Sequence, residues 1–382
     1  MMKLLKLLIF ISAAIPVISC SSFNNNLPQE FTINKRWAVS ATSSTNWWQF
    51  KNHAASPVIY NDAVLVANGY DGIGLYKQSS GRNIWKVEIQ NGAESTPVIH
   101  NDNIYFGGND GLFYCLDATD GSLKWSFPIK FEGLGSPVVN GESVYFTTGN
   151  HNLYSLEKDS GKLNWVYTRK VNSSISIRGQ GKVLISGDKL YSGFSDGYFV
   201  AFNKSNGQVI WEKLINNNRR FKDVDSSPVL SGDAIFVSGY DQNLYALNKV
   251  SGDVIWKSPN GSHAAVLVTG DRVYSSTSKG TVAALNKSNG KVAWTTKLKK
   301  GIGTEPTYYK GFLIIGESEG RVLALSQVNG EVVGSYETGK GVTSKITHKD
   351  ESKQFFLLSA GGNIFSFNID WTKASDVWPW QQ

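Results

Sequence analysis

The chain has 382 residues, 41% hydrophobic and 12% aromatic, with 38 glycines and 10 prolines; that composition excludes a disordered or collagen-like polymer and points to a folded protein. Its formal charge of +7 is scattered, apart from Lys297-Leu298-Lys299-Lys300 and Arg219-Arg220, so the footprint of a nucleic-acid-binding protein is absent. Two cysteines, Cys20 and Cys115, are too few for a disulfide framework.

The first segment reads as a secretion signal. Lys3 and Lys6 form a positive n-region, and the apolar run from Leu4 to Ile15 is too short to span a bilayer comfortably. Val17-Ile18-Ser19-Cys20 resembles a bacterial lipobox, in which cleavage precedes a cysteine that becomes lipidated. The alternative is an ordinary signal cleaved near Ser19 with a free Cys20. On the lipobox reading residues 1–19 are removed, Cys20 carries the lipid, and residues 20–32 are a polar tether. Losing Lys3 and Lys6 takes the formal charge from +7 to +5. A lipidated Cys20 leaves Cys115 without a disulfide partner. Cys115 lies in the apolar run "LFYCLD" and is expected to be a small buried hydrophobe.

One phrase then recurs: "YKQSSGRNIW" (76–85), "LDATDGSLKW" (116–125), "LEKDSGKLNW" (156–165), "FNKSNGQVIW" (202–211), "LNKVSGDVIW" (247–256) and "LNKSNGKVAW" (285–294). A seventh copy, "LSQVNGEVVG" (325–334), has Gly334 where tryptophan is expected. The glycines of the phrase are 38 to 46 residues apart, the period of an array of supersecondary units. Each unit holds four short apolar runs bounded by Gly, Asn and Asp, which read as strands joined by positive-φ turns. Four-stranded units at this period describe an all-β propeller. The second-strand phrase occurs eight times, from "AVLVANG" to "FFLLSAGG", which predicts eight blades of four antiparallel strands. The last unit lacks an outer strand, and "INKRWAVS" (33–40) supplies one, so the N-terminal strand is expected to complete blade 8 and remove the open edges. The propeller is expected over residues 33–370, with a tail at 371–382. The tryptophans, evenly spaced, are expected to wedge between blades.

Three further patterns are structural. Gly316-Glu317-Ser318-Glu319-Gly320 matches a GxSxG nucleophile elbow but falls in a turn between two strands, not between strand and helix. Gly334 to Lys340 matches most of a P-loop, but Gly341 replaces the Ser or Thr that would ligate magnesium, and no helix follows. The five histidines fall in separate repeats without metal-ligand spacing.

The blade-4 unit departs from the rest. Where a Ser-Pro-Val type phrase is expected, the sequence reads Ser174-Ile175-Ser176-Ile177-Arg178-Gly179-Gln180, and about one repeat later Asp223-Val224-Asp225-Ser226-Ser227-Pro228. Aligning "LISGD" (184–188) with "VLSGD" (229–233) puts Arg178 and Asp223 at equivalent places in blades 4 and 5, on one rim. Ile175 and Ile177 share a side of an extended segment. An exposed apolar pair beside Arg and Asp has the make-up of an interface anchor. The alternative is that Arg178 and Asp223 pair across the blade boundary and the isoleucines are core; both can hold at once.

The tryptophan phrase resembles the repeat of the PQQ-dependent dehydrogenase-like propellers. Those enzymes hold a quinone and calcium in the central funnel, many with a vicinal cysteine pair; this chain has no adjacent cysteines and lacks their long inter-blade insertions. A PQQ-dependent periplasmic dehydrogenase is therefore the alternative reading. Taken together, the lipobox, the eight repeats, the total length and the Ile-x-Ile-Arg-Gly and Asp-Val-Asp phrases resemble the BamB family of lipoproteins of the outer-membrane β-barrel assembly (BAM) complex. The resemblance implies a scaffold with no enzymatic activity and no cofactor, facing the periplasm, with Ser21 after Cys20 directing it to the outer membrane. It implies contact of Ile175, Ile177, Arg178, Asp223 and Asp225 with a periplasmic POTRA domain of BamA, the barrel-inserting subunit. Isoleucine stands where leucine is the familiar residue of the aliphatic pair. Unfolded outer-membrane proteins are a second candidate partner, through a lent strand edge.

Overall fold

The structure is a computed structural model that describes residues 29–42, 55–170, 181–218, 221–350 and 352–373. It contains eight four-stranded antiparallel sheets, the blades of a β-propeller. Residues Phe31–Asp370 form one compact unit. Blades 1 to 7 each use four consecutive strands. Blade 8 is composite: Thr347–His348, Gln354–Leu358 and Asn363–Lys373 run from the axis outward, and the N-terminal strand Gln29–Ser40 lies outermost. The two ends of the chain thus close the ring in one sheet, as the missing outer strand of the last repeat predicts.

Burial follows from a blade being covered on both faces by its neighbours. Second and third strands are buried along nearly their whole length, as in Ala63–Asn68 and Asn152–Glu157, and therefore read as continuous apolar runs. Outer strands alternate between exposed and half-buried positions, as in Leu163–Thr168. In blades 1 to 7 a bulge between third and outer strand skips one residue ahead of the tryptophan position.

Each tryptophan lies on the third-to-outer turn of the following blade. A Cβ at Gly121 would sit 2.8 Å from the Trp85 ring, and one at Gly207 2.5 Å from Trp165. Those turn glycines have φ of 77° and 72°, so they are required twice over, by conformation and by the indole. The indole N–H then donates to a turn carbonyl: Trp85 to Ala118 at 3.2 Å, Trp165 to Lys204 at 3.1 Å, Trp256 to Lys287 at 2.9 Å. Trp37, in the N-terminal strand, docks on Gly81 and donates to Gln78 O at 2.9 Å, so the closing seam uses the same device.

Two seams differ. Blade 8 has no third-to-outer turn, because its outer strand comes from the other end of the chain, so a tryptophan at 334 would have nothing to dock on. Phe31 fills the space over Gly334, where a Cβ would meet its ring at 2.5 Å, and packs on Phe312 at 5.4 Å between ring centroids. Between blades 4 and 5 the indole N–H of Trp211 has no acceptor among the described residues; the matching carbonyl, Lys249 O, accepts the Tyr191 hydroxyl at 2.9 Å.

Hairpin turns from first to second and from third to outer strand define one face of the ring, the turn face. Second-to-third turns and the crossings between blades define the other, the loop face. Cys115 is buried, and burial pushes its thiol up to about 11, as expected of a packing residue.

The indole difference between seams is measurable. Trp165→Phe loses a hydrogen bond along with ring volume, whereas Trp211→Phe loses ring volume only. In urea melts Trp165→Phe should be the more destabilising by about 1 kcal/mol; equal losses would show that the indole hydrogen bond contributes nothing.

Candidate partner-binding site

Of the residues singled out from sequence, Ile175, Ile177, Arg178 and the lipidation candidate Cys20 lie outside the described residues. Asp223 and Asp225 are described, in the crossing from blade 4 to blade 5 on the loop face. Asp223 is fully buried. Its carbonyl accepts Tyr240 N at 2.9 Å and Asn216 Nδ2 at 3.4 Å, and Val224 N donates to Phe194 O at 3.2 Å, so backbone bonds from both blades hold this segment. Asn216, itself buried, also donates to Phe221 O at 3.2 Å and accepts from Asn218 N at 3.0 Å, fixing the crossing ahead of Asp223.

Asp225 is half-buried as a residue, but both its carboxylate oxygens are covered and accept no hydrogen bond from the described residues. Burial, then the neighbouring Asp223 charge, raises its carboxyl well above the ordinary carboxylate range. Tyr240 faces the same pair: burial, then Asp225 and Asp223, push its phenol up. The covered Asp225 carboxyl, without a donor among the described residues, is a feature that a cation would complete.

The blade-4 irregularity is linked to this site. Four blades carry Ser or Thr three residues before the first strand (Ser95, Ser226, Thr304, Ser344), and it clasps the second strand, as where Ser226 accepts Ser238 N at 2.7 Å. Blade 4 has Gly181 there. A Cβ on Gly181 would sit 2.7 Å from Asp225 O and 2.8 Å from Ser226 O. Glycine lets the blade-5 approach pack directly against the backbone at 181, and Lys182 N donates to Ser227 Oγ at 2.9 Å. Gly181 therefore abuts the backbone of Asp225 and Ser226.

Arg169, just after the outer strand of blade 3, carries a polar network that sequence reasoning missed. Its guanidinium donates to Asp196 at 2.5 Å, Glu212 at 2.9 Å and the Tyr167 hydroxyl at 3.2 Å, and lies 4.6 Å from the Tyr198 ring centroid. Beside it His151, with φ of 63°, has its Nε2 2.9 Å from Ser195 Oγ. Burial pulls the imidazole below its ordinary range, with Asp223 and Asp196 opposing, so the neutral form dominates at pH 7. Phe131, 48% exposed in the crossing from blade 2 to blade 3, adds an aromatic to the same face. The available signals were the Arg at the end of an outer strand and the aromatic in an otherwise polar crossing.

The family profile described as "Outer membrane protein assembly factor BamB" matches residues 34–107, 71–264 and 241–374. The chain belongs to this family. No curated protein matches it. Among solved structures, BamB from Moraxella catarrhalis superimposes with a TM-score of 0.75 at 19% identity, covering 88% of this chain and 100% of that one. The quinohemoprotein alcohol dehydrogenase from Comamonas testosteroni gives a TM-score of 0.72 at 12% identity, covering 88% and 76% of the two chains. A computationally designed propeller, Ika8, gives 0.67 at 12% identity, covering 83% and 96%. At these identities the structural likenesses show the fold; family membership rests on the profile. Among the described residues no group of three or more His, Cys, Asp or Glu converges to hold a metal ion, and no helix is long and apolar enough to cross a membrane.

Asp225 makes a pH-dependent prediction. A carboxyl with a raised folded-state pKa holds its proton to higher pH folded than unfolded. The stability it contributes is present below the unfolded carboxylate range and is lost as pH rises through the folded value. Asp225→Asn should therefore melt higher than wild type at neutral pH, with the gap closing toward pH ~4. A gap that stays constant with pH would mean that Asp225 is ionised in a satisfied environment.

Proposed function

We propose that this chain is a non-enzymatic scaffold lipoprotein of outer-membrane β-barrel assembly. Cys20 carries the lipid after removal of residues 1–19, residues 20–32 tether the propeller on the periplasmic side of the outer membrane, and the loop face at blades 4 and 5 holds a POTRA domain of BamA. Family membership supports a scaffold of this assembly system. The observation that carries the site is the covered Asp225 carboxylate without a donor among the described residues, beside buried Asp223 and with its backbone against Gly181.

In this reading Asp223 is a positioning residue. Buried, it orients Arg178, while Ile175 and Ile177 supply the apolar anchor and Arg178 the charged contact. Phe131 and Arg169 flank the contact, Arg169 by fixing the outgoing end of the outer strand of blade 3, Leu163–Thr168. The likeness to quinohemoprotein dehydrogenases extends to the fold, and this chain has no adjacent cysteines for their redox pair.

Co-purification of BamA with the full-length lipidated chain from membranes tests the proposal. Arg178→Ala and Asp223→Asn should each weaken the contact by about 2–5 kcal/mol, while the Arg178 variant melts like wild type. Undiminished BamA recovery with both variants would contradict the site. Alcohol oxidation by the purified chain supplied with PQQ and calcium would contradict the scaffold reading.

A further inference from the structure

The loop face has a second sector, over blades 6 to 8. Lys279, Lys297, Lys299, Lys300 and Lys340 are exposed there, in the second-to-third turn of blade 6, at the end of its outer strand and in the two crossings that follow. Exposed lysines are ordinary; the fate of the neighbouring acids is not. Glu317 is fully buried and accepts Arg321 Nε at 2.8 Å, Arg321 Nη2 at 3.0 Å and Lys299 N at 2.8 Å. Burial alone would push its carboxyl up; Arg321 and the amides of Lys299 and Lys300 outweigh this and hold it below its ordinary value, ionised at neutral pH. Glu337 also faces Arg321, at 3.9 Å, and Glu305 pairs with Lys345. The acids of the sector are thus taken up by other cations. Glu319 is its one exposed acid without a basic partner among the described residues.

The same contacts make the platform rigid. Ser318 Oγ accepts Ile302 N at 3.0 Å, Ser318 N donates to Ile302 O at 2.9 Å, Val342 N donates to Glu317 O at 2.9 Å, and Thr338 Oγ1 donates to Gly320 O at 2.8 Å. Both lysine-bearing crossings are clamped to the Glu317–Gly320 turn. This is the role of the GxSxG-like stretch. The stem of Lys300 lies over Gly320, where a Cβ would meet it at 3.1 Å, and that of Lys340 over Gly361, at 3.0 Å. The stems of Lys300 and Lys340 are thus seated on glycines, while Glu317 is withdrawn into the fold.

We propose that this lysine arc is a docking surface for an acidic polypeptide segment, a second contact on the loop face beside the Asp223–Asp225 site. Polypeptide is favoured over membrane by where the chain joins the ring; this choice rests on the anchored-scaffold reading. The N-terminal strand starts at the turn face, with Phe31 on Phe312, and reaches the loop face at Ala41, whose N–H donates to Gly362 O at 2.9 Å. Phe31, where the ring begins, thus lies at the face opposite the arc, and an anchor at Cys20 precedes it in the chain.

The full-length chain in non-ionic detergent, titrated into a fluorescein-labelled deca-glutamate peptide, tests this by anisotropy. Wild type should bind at low salt, and binding should fall steeply between about 0.05 and about 0.3 M salt. Lys299→Glu/Lys300→Glu/Lys340→Glu should lose about tenfold or more in affinity, and the triple Gln variant a smaller share. Lys162→Glu/Lys291→Glu/Lys349→Glu, an equal charge change on the turn face, should bind like wild type. Equal losses in the two Glu triples would overturn the proposal, as would displacement of the peptide by phosphatidylglycerol-doped micelles at matched negative charge. BamA plays no part in this assay, so its outcome is separate from that of the Asp223 and Arg178 variants.

Discussion

The propeller depends on one repeated contact: a tryptophan of one blade laid on the positive-φ glycine of the next blade's outer turn. The contact constrains both partners. The glycine is needed for its backbone conformation, and the indole occupies the space a side chain there would take. A hydrogen bond from the indole N–H to a turn carbonyl sets the angle between neighbours. Blades 1 to 6 each give and receive, so the contact propagates around the ring, and Trp37 brings the N-terminal strand into the series. The one seam without a tryptophan lacks the hairpin turn that would receive it, and Phe31 takes up the volume.

A ring stabilised by near-identical seams leaves its individuality to the crossings between blades. The loop face divides accordingly. Over blades 3 to 5 the chain has Gly181 in place of a serine clasp and covers the Asp225 carboxyl, which has no donor among the described residues. Over blades 6 to 8 it withdraws acids into internal pairs and leaves lysines outward. Holding a carboxylate without donors costs stability, and a fold whose seams supply ample packing can carry that cost at one place. The same seam holds the indole without an acceptor among the described residues, at Trp211.

The fold was legible in the sequence because its constraints are local and repeated. The Gly-x-x-x-Trp phrase, the eight second strands and the orphaned last unit determined blade count and closure. What replaces the missing tryptophan was not legible, since Phe31 is hundreds of residues from Gly334. The site was legible in part. Alignment of the two turns drew attention to the crossing that holds Asp223 and Asp225, and Gly181 packs on that crossing. That Asp223 is buried rather than presented was not legible, because burial of a crossing depends on backbone bonds from Phe194 and Tyr240, which no periodicity reveals. Arg169 was passed over for the same reason: its partners come from two blades.

The central claim is that partner contact occurs on the loop face at blades 4 and 5. Site-specific photocrosslinking in intact membranes tests it most directly, with a benzophenone residue placed in turn at position 177 and, as a reference, at Ile210 on the exposed outer strand of blade 4. The account predicts a BamA adduct from position 177 and none from Ile210. A BamA adduct from the outer strand alone would contradict it.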